Sequence, residues 1–183
     1  MFRKYTLITA ILCGLGVSSL AQSDAAAKPE KISSIGFTSI NQFGIATGEH
    51  DNGLLLQTIN GLRYKTWFLG VGVGLDTYRA KTVPLFVDIR KSLSAKGSTP
   101  FLYADGGIQF SAEKKYNKDD YASKDYDPGL YYDVGAGYYM GLKNKKALLI
   151  SLGYSFKDLE YTYFAATYKY KLNRFSIKVG YKI

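Results

Sequence analysis

The stretch Trp67-Phe-Leu-Gly-Val-Gly-Val-Gly-Leu-Asp-Thr-Tyr78 constrains this chain more than any other. Read at every second position it presents two unlike surfaces. Trp67, Leu69, Val71, Val73, Leu75 and Thr77 form one face, almost wholly apolar. Phe68, Gly70, Gly72, Gly74, Asp76 and Tyr78 form the other, mostly small, with polar groups at one end. A period of two belongs to a β-strand, whose successive side chains point to opposite faces. The length suits a tilted strand crossing a bilayer. A soluble barrel such as a lipocalin would put its apolar residues inside. Here the face opposite the apolar one is glycine and aspartate, so the apolar face is expected to meet lipid.

The N-terminus reads as an export signal: Arg3 and Lys4, an apolar run from Leu7 to Leu15, and a small-x-small site at Ser19-Leu20-Ala21. Residues 1–21 are therefore expected to be removed and the mature chain to start at Gln22. The apolar run is too short for a transmembrane helix. The single cysteine, Cys13, lies inside this segment, which excludes a disulfide framework from the mature chain. Residues 22–33 are small, polar and Pro-containing, and read as a flexible periplasmic lead-in. Of 24 Lys and Arg, two leave with the signal, so 22 basic residues face 15 acidic ones. The lysines are spread over loops and turns with no basic block, which argues against a nucleic-acid partner.

From residue 34 to residue 183 the period-two pattern recurs eight times. The expected strands are 34–46, 54–64, 67–78, 83–93, 100–110, 129–142, 147–157 and 168–183. The first alternates poorly, since Ile35 and Phe37 share a face with Ser39 and Asn41, and a bulge is allowed there. In the last, the apolar phase shifts between Leu172 and Phe175, which places a bulge near Asn173-Arg174. Pro84 cannot donate to a ladder and belongs near a strand end. The connections are short at one end and mostly longer at the other, with 111–128 the longest and 158–167 a Tyr-rich loop or raised hairpin. Tyr64 and Trp67 at one rim, and Tyr132, Tyr154 and Phe156 at the other, fit aromatic girdles. In a bilayer core no water satisfies backbone N–H and C=O groups, so such strands must close on themselves. The predicted fold is all-β, an eight-stranded antiparallel up-and-down transmembrane β-barrel in the outer membrane, surrounded by outer-membrane lipid and lipopolysaccharide.

Candidate sites were weighed against structural roles. His50, the only histidine, sits in a polar loop with no serine close in sequence, so it does not suggest a Ser–His–acid site. Asp119, Asp120, Asp125 and Asp127 crowd one loop, but Lys114, Lys115, Lys118 and Lys124 interleave and no calcium-loop spacing is present. No metal or other cofactor is expected. With Tyr116, Tyr121 and Tyr126, the 111–128 loop is a place where a protein partner would bind. Asp76, Asp88, Arg90, Asp105 and Asp133 point inward. They read as structural pairs rather than an ion path, because an eight-stranded barrel is just wide enough for side chains to fill.

Two registers follow from matching large inward residues to small ones. Strand 83–93 against 100–110 sets Phe86 opposite Gly107, Asp88 opposite Asp105 and Arg90 opposite Tyr103, with Arg90 expected to hold both carboxylates. Strand 129–142 against 147–157 sets Gly141 opposite Leu149 and Asp133 opposite Lys157, with a salt bridge between the latter two. The predicted interior cluster is thus Asp88, Arg90, Asp105, Asp133 and Lys157.

The segments Gly53-Leu-Leu-Leu-Gln-Thr-Ile-Asn-Gly61, Gly74-Leu-Asp-Thr-Tyr78, Pro84-Leu-Phe-Val-Asp-Ile-Arg90 and Asn173-Arg-Phe-Ser-Ile-Lys-Val-Gly-Tyr-Lys-Ile183 resemble small outer-membrane β-barrel proteins of Bacteroidota-type bacteria. The resemblance implies barrel position and no enzymatic activity. The last strand looks like the segment recognised by the barrel-assembly machinery, although it ends on Ile183 where such segments end on an aromatic. The sequence favours a non-enzymatic barrel with a structural, surface-contact or envelope-complex role; a lipid-modifying enzyme and a small pore are the rival readings.

Overall fold

The computed structural model describes residues 35–49, 51–112, 125–163 and 166–183. All of them belong to the unit Ile32–Ile183. The expected signal and lead-in (1–33), His50 and most of the 111–128 loop lie outside the described residues.

Eight long strands form the barrel: β1 (Gly36–Gly48), β2 (Asn52–Tyr64), β3 (Trp67–Asp76), β4 (Thr82–Ser92), β5 (Thr99–Ser111), β7 (Gly129–Gly141), β8 (Ala147–Tyr163) and β9 (Ala166–Lys182). A three-residue strand, β6 (Asp125–Asp127), pairs with β8 above the barrel. Each long strand pairs antiparallel with its neighbours, and β1 pairs with β9 to close the ring. The pairing also fixes the size. Steps through partners from Gly36 to Arg63, Phe68, Arg90, Tyr103, Gly135, Gly153 and Ser176 return to β1 at Ala46, ten residues above the start. Eight strands with a shear of ten incline by about 40° and enclose a radius of roughly 8 Å.

The alternation deduced from the sequence is the alternation of the barrel wall. Leu69, Val71, Leu85, Val87, Leu102, Val134, Leu152 and Ile177 are each about half exposed and give the barrel an apolar outer belt. Phe68, Phe86, Phe101, Tyr103, Tyr131 and Tyr139 are buried within. Glycine makes the interior possible. A Cβ on Gly72 would run into the Phe86 ring, and one on Gly137 into Phe101.

Four expectations about the strands are corrected. Neither the first nor the last strand has a bulge. β1 keeps one register with β2 from Gly36 to Thr47, and β9 keeps one register with β8 throughout. The phase shift near Asn173 arises because Leu172 points inward and is buried, in step with Arg174, Ser176 and Lys178. Of the two readings for 158–167, the raised hairpin holds: β8 and β9, seventeen residues each, stay paired up to Tyr163 and Ala166. Residues 125–127 of the expected 111–128 loop are strand. The β7–β8 register is two residues from the expected one: Gly141 pairs with Ala147 and Asp133 with Ser155. The turn decides this. Asn144 and Lys145 both take positive φ (60° and 61°) between Lys143 and Lys146, and Leu142 N–H already donates to Lys146 C=O at 2.7 Å. A turn this tight leaves no slack for the wider pairing.

Candidate functional site

The barrel interior concentrates the unusual chemistry. Four acids (Asp76, Asp88, Asp105, Asp133) and four bases (Arg90, Lys157, Arg174, Lys178) are buried there, so their formal charges cancel. Charges taken out of water persist only when paired and hydrogen-bonded. The pairs form three groups.

In the first group, Arg90 and Asp88 are two residues apart on β4 and project the same way. Arg90 Nε donates to Asp88 Oδ1 and Oδ2 (3.0 and 2.9 Å), and Nη2 to Oδ2 (2.7 Å). The guanidinium lies 5.5 Å from the Phe101 ring centroid and 5.6 Å from that of Tyr103, within cation–π range. Gln42 and Gln57 continue the network, with Gln42 Nε2 donating to Gln57 and Gln57 Nε2 to the Tyr131 hydroxyl at 2.9 Å.

The second group is a row of three carboxylates, because Asp105 pairs with Asp88 on one side and with Asp133 on the other. Lys178 reaches across from β9, 3.0 Å from Asp133 Oδ2 and 3.9 Å from Asp105 Oδ2. Tyr103 donates its hydroxyl to Asp133 Oδ1 at 2.8 Å, and Ser176 donates to Oδ2 at 3.4 Å. Neither oxygen of Asp105 has a hydrogen-bond partner among the described residues.

The third group lies toward the end of the barrel from which β8 and β9 extend. Asp76 accepts from Arg174 Nη1 at Oδ2 and from Lys157 Nζ at Oδ1 (3.3 Å). Lys157 also donates to Ala80 C=O and Thr82 Oγ1, each at 3.3 Å. Tyr78 is buried between the cations, with Arg174 5.2 Å and Lys157 5.8 Å from its ring.

All five residues of the predicted cluster lie in this interior, but they are not joined as expected. Asp88 faces Asp105 and Arg90 faces Tyr103, yet Arg90 donates to Asp88 and to Gln42 Oε1 (3.5 Å) and not to Asp105. The expected Asp133–Lys157 bridge is absent. With the register shifted by two, Lys157 pairs with Tyr131 and serves Asp76, while Lys178 serves Asp133. Sequence reasoning missed Arg174 and Lys178: the expected bulge takes in Arg174, and the inward face of the last strand is not followed on to Lys178. The signal was present: Arg174, Ser176 and Lys178 alternate strictly with Phe175, Ile177 and Val179.

The arrangement is a packed and neutralised plug. Among the described residues, no group of three His, Cys, Asp or Glu side chains is placed to hold a metal ion.

No family model matches the sequence, and no curated protein matches it. Solved structures do match in fold. Neisserial surface protein A (NspA) superposes with a TM-score of 0.52 at 11% identity, over 81% of this chain and 96% of that one. The N-terminal β-barrel domain of Pseudomonas aeruginosa OprF gives 0.51 at 12% identity, over 80% and 97%. The chain is a closed, eight-stranded antiparallel barrel with the fold of outer-membrane barrels.

Proposed function

We propose that the protein is a non-enzymatic integral barrel of the outer membrane, acting through its surfaces rather than through its interior. The filled lumen carries this reading. Arg90, Arg174, Tyr78, Tyr131, Phe101, Lys157 and Lys178 are each less than 2% exposed and are cross-linked by the ion pairs above. An interior of this radius filled with such side chains leaves no water path. The apolar belt supports the membrane address, and likeness of fold to other outer-membrane barrels accords with it.

A surface-contact role is favoured by what stands above the belt. β8 and β9 continue to the pair Tyr163–Ala166, and β6 adds a third strand against Glu160–Thr162. Glu160 and Lys169 bridge at 2.7 Å across this extension. It is a backbone-paired platform raised from the membrane, and its third strand, Asp125–Asp127, belongs to the 111–128 segment proposed to meet a protein partner. The reading is tested by fractionating cells and recording the purified barrel in planar bilayers. Outer-membrane recovery, a silent bilayer and unchanged lipid A mass spectra on gene deletion are expected. A steady conductance, or lipid A altered by the deletion, would overturn it.

A further inference from the structure

The belt is broken at one place. On β1, the outward positions Ser39 and Asn41 stand between Phe37 (69% exposed) below and Phe43 (44%) above. On β2, Asn60 and Thr58 stand between Leu62 (55%) below and Leu56 (49%) above. The two interruptions adjoin, since Ser39 pairs with Asn60 and Asn41 with Thr58. The neighbouring strands show Val71 and Val73 on one side, and on the other Tyr181, the partner of Asn41, with Val179 above it. Four polar side chains thus share one patch, bordered by apolar residues and the Tyr181 ring. Within it, Thr58 Oγ1 donates to Asn41 Oδ1 at 2.8 Å. That leaves the Asn41 amide N–H groups, and no described residue bonds the Asn60 side chain.

Lipid tails offer neither donor nor acceptor, so exposed carboxamides at this depth are unfavourable unless another protein surface satisfies them. A carboxamide is both donor and acceptor, hence complementary to a second carboxamide. Barrel geometry sets which ones can meet. A shear of ten over eight strands lifts each hydrogen-bonded neighbour by about one and a quarter residues on passing from β1 to β2. Thr58 therefore stands above Asn41, and Asn60 stands about 2 Å below it along the membrane normal. A two-fold axis along that normal, passing between β1 and β2, sets β1 of one copy against β2 of the other at equal height. Asn41 of each copy then meets Asn60 of the other, twice by symmetry.

We propose that the Ser39–Asn41–Thr58–Asn60 patch is the interface of a two-fold dimer of this chain, closed by reciprocal Asn41–Asn60 carboxamide pairs. A groove lined by Asn41, Thr58, Phe43, Val179, Tyr181 and Ile150 runs from the patch across β9. Under the same axis it faces the β2–β3 wall of the second copy. The proposal rests on the membrane-spanning reading above.

The test uses cysteine pairing in outer membranes. Cys13 is the only cysteine, and it lies in the segment expected to be removed. An Asn41→Cys chain and an Asn60→Cys chain, differently tagged, are co-expressed and oxidised in isolated membranes. A disulfide-linked heterodimer carrying both tags is expected, at least tenfold above the yield from either variant paired with Leu102→Cys, which faces outward from β5 on the far wall. Asn41→Leu with Asn60→Leu should fold, shown by unchanged heat-modified gel migration, and run as a monomer where wild type runs as a dimer. A folded, membrane-resident wild type that is monomeric and gives no heterodimer overturns the dimer alone. A cross-link to another protein in place of the heterodimer also overturns it. Recovery outside the membrane instead overturns the membrane reading beneath it.

Discussion

Asp105→Asn should make the barrel more stable, although it deletes a buried charge from an ion-pair network. Asp105 is 3% exposed and faces a carboxylate on each side. Its nearest cation, Lys178, is 3.9 Å away and already bonded to Asp133 at 3.0 Å. A unit charge at about 4 Å gains roughly 4 kcal/mol at an effective dielectric constant of 20. Against this stand an effective desolvation penalty of several kcal/mol for the buried carboxylate and about 0.2–1 kcal/mol for each facing like-charge pair. Asparagine keeps the shape and brings an N–H donor that either neighbouring carboxylate can accept, for about 1 kcal/mol. The balance favours the variant by roughly 1–3 kcal/mol. Urea unfolding from phospholipid vesicles, followed by the single tryptophan, Trp67, reads this directly. With a slope of about 2 kcal/mol/M the midpoint should rise by roughly 0.5–1.5 M. A midpoint lowered by half a molar or more at unchanged slope would refute the reasoning, showing that Lys178 is shared rather than committed to Asp133. Asp133→Asn is the control. It weakens the hold of Lys178, Tyr103 and Ser176 together and should destabilise by about 3–5 kcal/mol.

Arg90→Ala should leave Asp88 buried without its cation and lower stability by about 3–5 kcal/mol in the same assay, with the fold retained. Gly72→Ala should destabilise by about 1–3 kcal/mol because its Cβ meets the Phe86 ring, and a double-mutant cycle with Phe86→Leu should recover part of that loss. Lys145→Val should cost about 1–2 kcal/mol, since a β-branched residue resists positive φ, whereas Lys145→Gly should unfold at or above the wild-type midpoint.

The strands were legible in the sequence because lipid outside and a packed lumen inside force opposite demands on alternate residues. The β4–β5 register was legible for a related reason: Phe86 needs a glycine opposite, and Gly107 is the glycine on the inward face of the partner strand, Gly106 lying on the outward one. The β7–β8 register was not, because Gly135, Gly137 and Gly153 accept large neighbours in either of two alignments. The choice falls to the backbone conformation of Asn144 and Lys145, which composition does not display. The interior partners were obscured for another reason. Leu172 is apolar yet points inward, which mimicked a change of phase and placed Arg174 in a bulge instead of the lumen. The poor alternation of β1 looked like a backbone irregularity, but the backbone is regular and the polar residues really do face outward.

Ring closure by β1 and β9 has a kinetic consequence. Their paired residues, such as Ile40 and Lys182, are about 140 positions apart, whereas every other seam of the barrel begins at a local hairpin or a single longer connection. Bringing ends together over that contour costs about 3 kcal/mol more loop entropy than closing a four-residue turn. Until the seam zips, β1 and β9 are both bare edges, intolerable in hydrocarbon and prone to pair with strangers in water. Closing this seam carries the largest loop entropy and should limit the rate of folding, so mutations along Ile40–Gly48 should slow folding more than equally destabilising changes in the β4–β5 hairpin.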